Sequence, residues 1–303
     1  MPDGAPIMKV ESTKRLGARV ELVRGTYDDA HDRAVELQQQ TGMTFIHPYD
    51  DELVMAGQGT IGLEILDQLP DVQAVVVPIG GGGLIAGVAL AIKSLRPEVK
   101  VYGVQAAGAA SMYDAWKAGS YRTLDRVDTF ADGIAVKTPG EQTFELIRRY
   151  VDDIVTVSED EIAAAILALM ENQKLVAEGA GATPVAAALF GKLPLAGQKT
   201  VCLISGGNID VNILSRVINR GLVMGGRKCN LTIALEDKPG QLTRVSEIIS
   251  GCGANVVSVQ YDQGDTNMAI TSCFIKLGLE TRDADQIAEI KQKLEADGFQ
   301  LVV

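Results

Sequence analysis

Residues Val75-Val76-Val77-Pro78-Ile79-Gly80-Gly81-Gly82-Gly83-Leu84-Ile85-Ala86-Gly87 join a short apolar run to four consecutive glycines, then to small and apolar residues at helical spacing. That order requires a fold in which a buried strand turns sharply into a helix. Four glycines are too mobile for the interior of an element. No side chain shields their N–H groups, so the stretch predicts an anion-binding turn at a helix start. A helix from Leu84 to Leu95 would aim its positive end at the anion, contributing about 0.3–1 kcal/mol at a wet site and up to ~2 kcal/mol when partly buried. Phosphate is the expected occupant.

The residues around the loop narrow the kind of phosphate. Leu84-Ile85 stands where a Walker loop needs Lys-Ser/Thr, which argues against a nucleotide triphosphatase. Gly81-Gly82-Gly83-Leu84-Ile85-Ala86 satisfies G-x-G-x-x-A and keeps a dinucleotide open as a rival. That reading needs an acid about 20 residues on to hold a ribose, and the strand Val101-Tyr102-Gly103-Val104 ends in Gln105 instead. A third reading leaves the glycines a packing role alone, letting helix and strand approach closely.

With 303 residues the chain can bury a sizeable core and is expected to hold two domains. Its 28 Lys+Arg against 39 Asp+Glu give a net charge of −11, which disfavours nucleic acid and anionic membrane surfaces as partners. An anion site must therefore be local. Cys202, Cys229, Cys252 and Cys273 form no C-x-x-C pair, and His31 and His47 lack metal-ligand spacing. These residues predict no metal site; the cysteines read as free, mostly buried thiols in a reducing cytoplasm. There is no apolar run long enough to span a bilayer and no signal peptide at Met1-Pro2-Asp3-Gly4-Ala5-Pro6, which reads as a turn with nothing before it.

From Ile7 to Pro194 helices alternate with short apolar strands, the pattern of a doubly wound parallel sheet in an α/β domain. Expected strands are Ala18–Val23, Thr44–His47, Ala74–Pro78, Val101–Val104, Asp153–Val157 and Thr200–Ile204. Expected helices include Asp50–Leu69, Glu159–Leu175 behind the capping box Ser158-Glu159-Asp160-Glu161, and Val211–Arg220. Ser205-Gly206-Gly207-Asn208 follows the last of these strands as a second turn. Beyond a linker at 222–228 the period changes. Leu231, Ile233 and Leu235 alternate with Thr232, Ala234 and Glu236 up to Asp237-Lys238-Pro239-Gly240. A helix with Leu242, Val245, Ile248 and Ile249 on one face follows. Strands at Ala254–Tyr261 and Met268–Leu277 join around Gly264-Asp265, then come a helix opened by Asp283-Ala284-Asp285-Gln286 and a last strand at Phe299–Val303. The order is βαββαβ, a ferredoxin-like module small enough to need a partner surface. The expected domains are 1–221 and 229–303.

The tetraglycine turn and Ser205-Gly206-Gly207-Asn208, together with His47-Pro48-Tyr49-Asp50-Asp51, Ala56-Gly57-Gln58-Gly59-Thr60, Ala131-Asp132-Gly133-Ile134-Ala135-Val136 and Ala177-Glu178-Gly179-Ala180-Gly181, resemble the threonine dehydratases (threonine ammonia-lyases) of the fold type II pyridoxal-phosphate enzymes. The C-terminal module, with Pro239-Gly240 after its first strand, is similar to an ACT domain. The resemblance covers essentially the whole chain. It implies pyridoxal 5'-phosphate held by Gly80, Gly81, Gly82, Gly83 and the Leu84 N–H, with Ser205 facing the pyridine nitrogen. A serine hydroxyl hydrogen-bonds a neutral ring nitrogen without keeping it protonated, which favours loss of a β-hydroxyl over transamination. The implied reaction converts L-threonine or L-serine to 2-oxobutanoate or pyruvate and ammonia. Asp237, Pro239, Gly240, Gln241 and Leu242 are implied to bind a small amino-acid effector, isoleucine or valine being the branched-chain candidates, in a homo-oligomer (dimer or tetramer). Glu178 matches a position that lies near a cation in some relatives. Pro184 stands where those relatives place a second acid, so Glu178 reads as a hydrogen-bonding acid.

One departure concerns the Schiff-base lysine. The family carries it in an S-F-K-x-R-G-A-type segment ahead of N-H-A-Q-G, and neither is present here. Ser12-Thr13-Lys14-Arg15-Leu16-Gly17-Ala18 imitates the first, but Glu11–Leu16 with Gly17 reads as a helix end and its glycine cap, making Lys14 an exposed last-turn cation. The expectation is a dehydratase scaffold without its N-terminal catalytic segment, inactive alone. The alternative is a non-catalytic, amino-acid-sensing or subunit-modulating protein derived from the same family.

Overall fold

The computed structural model describes residues 1–5, 7–25, 27–262 and 272–302 and divides into two compact units, Met1–Leu214 and Ser215–Val303. In the first, β1 (Ala74–Pro78) lies at the heart of a parallel sheet. It pairs on one side with β2 (Lys100–Ala106), which pairs in turn with β3 (Asp153–Val157), and on the other side with β4 (Thr200–Cys202). The spatial order is β3-β2-β1-β4. All five residues of β1 are buried, as a central parallel strand covered on both faces requires. The chain winds outward through β2 and β3 and then returns to the far side of β1. The sheet therefore has a switch point between β1 and β4, where open α/β sheets leave a crevice at the carboxyl ends of their strands.

The helices are α1 (Ile7–Arg15), α2 (Tyr27–Thr41), α3 (Glu52–Gln68), α4 (Gly83–Leu95), α5 (Ser111–Ala118), α6 (Glu141–Tyr150), α7 (Glu159–Ala168) and α8 (Gly179–Leu189). Asp51 caps α3 by accepting from Leu53 and Val54 N–H. The Ser158–Glu161 capping box opens α7, which ends earlier than expected because a π-helical turn occupies Leu169–Gln173. Helices α3 and α4 cross where glycines face each other. A Cβ on Gly59 would lie 3.1 Å from the Gly87 carbonyl oxygen and one on Gly62 3.0 Å from that of Val88, while one on Gly87 would run into the Met55 carbonyl.

Two expected strands do not form. Residues 18–23 make a single parallel bridge, Pro2 to Val23, and residues 44–47 make none. An alternating pattern becomes a strand only beside a partner. Among the described residues the Ala18–Val23 backbone bonds only to Thr13 and to residues 1–3, with Glu21 paired to Arg33, and Phe45 and His47 instead stack edge-on with His31. Thr200–Ile204 shortens to Thr200–Cys202. Of the cysteines, Cys252 and Cys273 are buried whereas Cys202 and Cys229 are partly exposed.

The second unit contains the end of α9 (Val211–Met224), then β5 (Lys228–Glu236), α10 (Gln241–Gly251), β6 (Asn255–Asp262), β7 (Ser272–Glu280), α11 (Ala284–Ala296) and β8 (Gln300–Val302). Its antiparallel sheet has the order β6-β7-β5-β8, the ferredoxin-like arrangement of a βαββαβ chain. Residues 222–228, read as linker, are the last turn of α9, a glycine turn and the start of β5, because the helix runs to Met224 before the left-handed Gly226 stops it. The Gly264-Asp265 turn and the expected strand start at Met268 lie outside the described residues. Leu231, Ile233 and Leu235 are buried with Val245, Ile249, Ile275, Leu277, Ile290 and Leu294. At the opposite limit, β6 is an edge strand whose Val257, Val259 and Tyr261 are nearly half exposed.

Candidate functional site

At the switch point a cavity of about 450 Å³ opens, lined by Gly80, Gly81, Gly82, Gly83 and Leu84 after β1 and by Ser205 after β4. The six residues read as a cofactor site thus face one space. Gly82 is the N-cap of α4 at φ +101°, a left-handed conformation that glycine adopts without steric cost. Among the described residues, the N–H groups of Gly80, Gly81, Gly82, Gly83 and Leu84 have no hydrogen-bond acceptor. Five orphan donors at the positive end of a 13-residue helix form a cradle for an anion and fit a phosphate ester.

Side chains missed in the sequence complete the cradle. The Tyr49 ring stands where a Cβ on Gly81 would have to go, and the Tyr49 carbonyl oxygen lies 2.7 Å from the Cβ position of Gly83. Thr143, fully buried, donates its hydroxyl to the Gly81 carbonyl at 2.7 Å, and Gly140 N–H donates to the same oxygen at 3.1 Å. The loop is thereby turned so that its carbonyl points into the protein and its N–H groups toward the cavity. Tyr49 lay within a motif already noticed but given no role; Thr143 had no local signal at all.

The opposite wall comprises Asp132, Gly133, Ile134, Ala135, Val136, Glu178 and Ala180. Glu178 precedes α8; its N–H donates to the Gly206 carbonyl at 3.0 Å and its carboxylate accepts from Asn208 N–H at 3.2 Å, tying the Ser205 turn to the helix. Burial, then the nearby Asp132 carboxylate, push the Glu178 pKa above the usual carboxylate value. That reduces its repulsion of an anion. Asp132 is paired with Lys9 of α1 at 3.5 Å. No lysine lines the cavity among the described residues; Lys14 is half exposed in the last turn of α1 and bonded to Glu11 at 3.1 Å.

A larger cavity, about 900 Å³, lies beside Met55, Leu90 and Phe144 and contains none of the glycine-loop residues. The proposed effector residues fall at a different strand-to-helix turn: Asp237, Pro239 and Gly240 are exposed after β5, and Gln241 and Leu242 begin α10 half-buried.

Such a phosphate cradle at the sheet's switch point, closed by a serine turn, defines a cofactor-binding α/β domain. The chain belongs to the pyridoxal-phosphate dependent enzyme family, whose model matches residues 1–207. Its first unit has the fold type II α/β architecture with a parallel sheet, and its cofactor is pyridoxal 5'-phosphate. The chain is 49% identical over 301 residues to the L-threonine ammonia-lyase of Thermotoga maritima, covering 99% of this chain and 75% of that protein. It is 46% identical over 299 residues to that of Geobacter sulfurreducens, covering 99% and 74%. Among solved structures it resembles the processed form of threonine deaminase isoform 2 from Solanum lycopersicum, with a TM-score of 0.68 and 41% identity over 73% of this chain and 65% of that one. Maize serine racemase matches with a TM-score of 0.67 and 32% identity over 74% and 69%. Among the described residues no helix is long and apolar enough to cross a membrane.

Proposed function

We propose that this chain provides the cofactor and substrate scaffold of a cytoplasmic L-threonine (or L-serine) ammonia-lyase, with a C-terminal ACT module that senses an amino acid. The observation that carries the reading is the convergence of five unpartnered N–H groups and Ser205 on one cavity, in a chain 49% identical to an L-threonine ammonia-lyase. Gly80–Leu84 would hold the phosphate through backbone alone, since no lysine or arginine lies in Pro78–Leu90. Ser205 would hydrogen-bond the ring nitrogen in its neutral form. When bound, the cofactor supplies the electron sink for the carbanion formed at Cα. Threonine loses its β-hydroxyl as water, and the released enamine tautomerises and is hydrolysed to 2-oxobutanoate and ammonia.

Among the described residues no lysine lines the cavity, and that carries a second consequence. A positioned amine contributes several kcal/mol to such chemistry, ~7–11 kcal/mol in the best-oriented systems. The 303 residues by themselves should bind pyridoxal 5'-phosphate yet not deaminate threonine above the free cofactor's rate, and a relative's lysine-bearing segment added in trans should restore turnover. Calorimetric titration tests the site, inorganic phosphate competing with the cofactor; binding that phosphate leaves unaffected would place the cofactor elsewhere. Turnover by the chain alone would refute the lysine argument.

The ACT reading rests on the βαββαβ order and on the open turn Asp237–Leu242. Edge strand β6 leaves unpaired backbone beside Val257 and Val259, which supports assembly into dimers or tetramers. Isoleucine or valine should bind the full chain and Asp237→Asn should weaken that binding; a strictly monomeric chain that binds neither would remove the sensor.

A further inference from the structure

The glycine loop is braced by a hydrogen-bond relay that starts at a histidine outside the cavity lining. His47 Nδ1 accepts from Asp50 N–H at 2.7 Å and from Tyr49 N–H at 3.3 Å. An Nδ1 that accepts carries no proton, so this imidazole is neutral with its hydrogen on Nε2. The tight turn it closes presents Asp50 to the N-terminus of α6, where one carboxylate oxygen accepts from Glu141 N–H and the other from Thr143 N–H, both at 3.0 Å. Thr143 then donates to the Gly81 carbonyl. The same turn sets Tyr49, whose hydroxyl donates to the Thr138 carbonyl at 3.2 Å, against Gly81 and Gly83. Both branches end on the phosphate cradle.

We propose that His47 is a positioning residue for the phosphate-binding loop, and that it holds the loop in its binding form only while its imidazole is neutral. The inference rests on the cofactor site proposed above. Protonation places a hydrogen on Nδ1, turning an acceptor of two N–H groups into a donor facing both of them. The turn 47–50 cannot keep that contact. Asp50 and Tyr49 are released, and the Gly81 carbonyl loses the support that turns its neighbours' N–H groups outward.

The surroundings of His47 set the direction of the switch. Around it stand His31 of α2, with ring centroids 6.0 Å apart, Phe45 at 6.1 Å and Tyr49 at 4.8 Å. Tyr121 and Glu141 share with it a hollow of about 270 Å³. Burial lowers its pKa below the usual imidazole value and His31 adds to that, while Asp50 and Asp51 oppose it. For a histidine whose folded pKa is lowered, the brace is fully present above the ordinary value of about 6.5 and is lost as pH falls through the lowered one. Cofactor binding and His47 protonation are then linked, each weakening the other.

The test uses the full chain with pyridoxal 5'-phosphate, comparing wild type, His47→Ala and His47→Asn at pH 7.5 and 5.5. The asparagine amide oxygen stands close to where Nδ1 was and does not titrate in this range. His47→Asn should bind as wild type does at pH 7.5 and more tightly than wild type at pH 5.5, by up to about tenfold, with the ligand's own phosphate titration common to both. His47→Ala should bind about tenfold more weakly than wild type at pH 7.5. Equal pH dependence in wild type and His47→Asn overturns the proposal. In the unliganded chain, amide protection at Gly140, Glu141 and Thr143, whose N–H groups are bonded within the brace, should fall with pH in wild type and hold in His47→Asn. This arm decides the matter even where His47→Ala does not fold or where no form of the chain binds the cofactor. The latter result would defeat the cofactor site while leaving the brace to be judged on exchange; unchanged protection in wild type would defeat the brace alone.

Discussion

Two turns in this protein are built to the same local plan. Each unit has a strand that ends in a glycine and starts a helix: Gly82 before α4 at φ +101°, and Gly240 before α10 at φ +92°, neither with a side-chain cap. What surrounds them differs. A Cβ on Gly82 would stand 2.8 Å from Met112 Cε and Thr143 Oγ1 and 2.9 Å from Ile147 Cδ1, whereas one on Gly240 would meet nothing within 4 Å. The first turn is enclosed by α5 and α6 and tied by Thr143 and Gly140, so its N–H groups are held in one arrangement. The second is open to solvent. Equal backbone geometry therefore leaves unequal surroundings: the first turn is preorganised within its own unit, and the second has no such walls among the described residues.

Substitutions at these two glycines test the contrast most strongly. Gly82→Ala combines left-handed strain of about 1–2 kcal/mol with overpacking of about 1–3 kcal/mol and should cost about 2–5 kcal/mol in denaturant unfolding. Pyridoxal 5'-phosphate affinity should fall at least a hundredfold in the same variant. Gly240→Ala incurs only the strain, about 1–2 kcal/mol, and should leave that affinity unchanged. Equal costs at the two positions would show that packing does not separate them. Asp50→Ala removes the cap on α6 and should destabilise by about 1 kcal/mol, within a range of roughly 0.5–2, while also weakening cofactor binding through Thr143. Lys14→Ala, at the small end, should change stability by less than about 0.5 kcal/mol, since its partner is an exposed glutamate three residues away, and should not alter cofactor affinity. A loss of binding there would bring α1 into the site and undo the reading of Lys14 as a surface cation.

Much of the first unit was legible because its signals are local. Ala74–Pro78 and Asp153–Val157 match β1 and β3 residue for residue, and the Ser158 capping box appears as written, since burial on both faces and helix capping each leave a contiguous trace. Ala18–Val23 alternates apolar and charged residues yet is no strand, because pairing depends on a neighbour that no window of sequence contains. At Asp283 the expected reciprocal box is half formed. Its carboxylate accepts from Gln286 N–H, but the Gln286 side chain turns to Arg282 N–H and the Cys252 carbonyl instead.

By itself the sequence determined that four glycines between a buried strand and a helix leave donors for an anion, that a serine turn follows a later strand, and that the period changes near residue 229. Only the tertiary structure decided that both turns open on one cavity, because that follows from β4 returning to the far side of β1. Tertiary structure also decided which way the glycine loop faces. Its conformation is underdetermined by residues that carry no side chains, and it is set by Tyr49, Gly140 and Thr143, which are distant in the chain and meet the loop only when α6 packs beside α4.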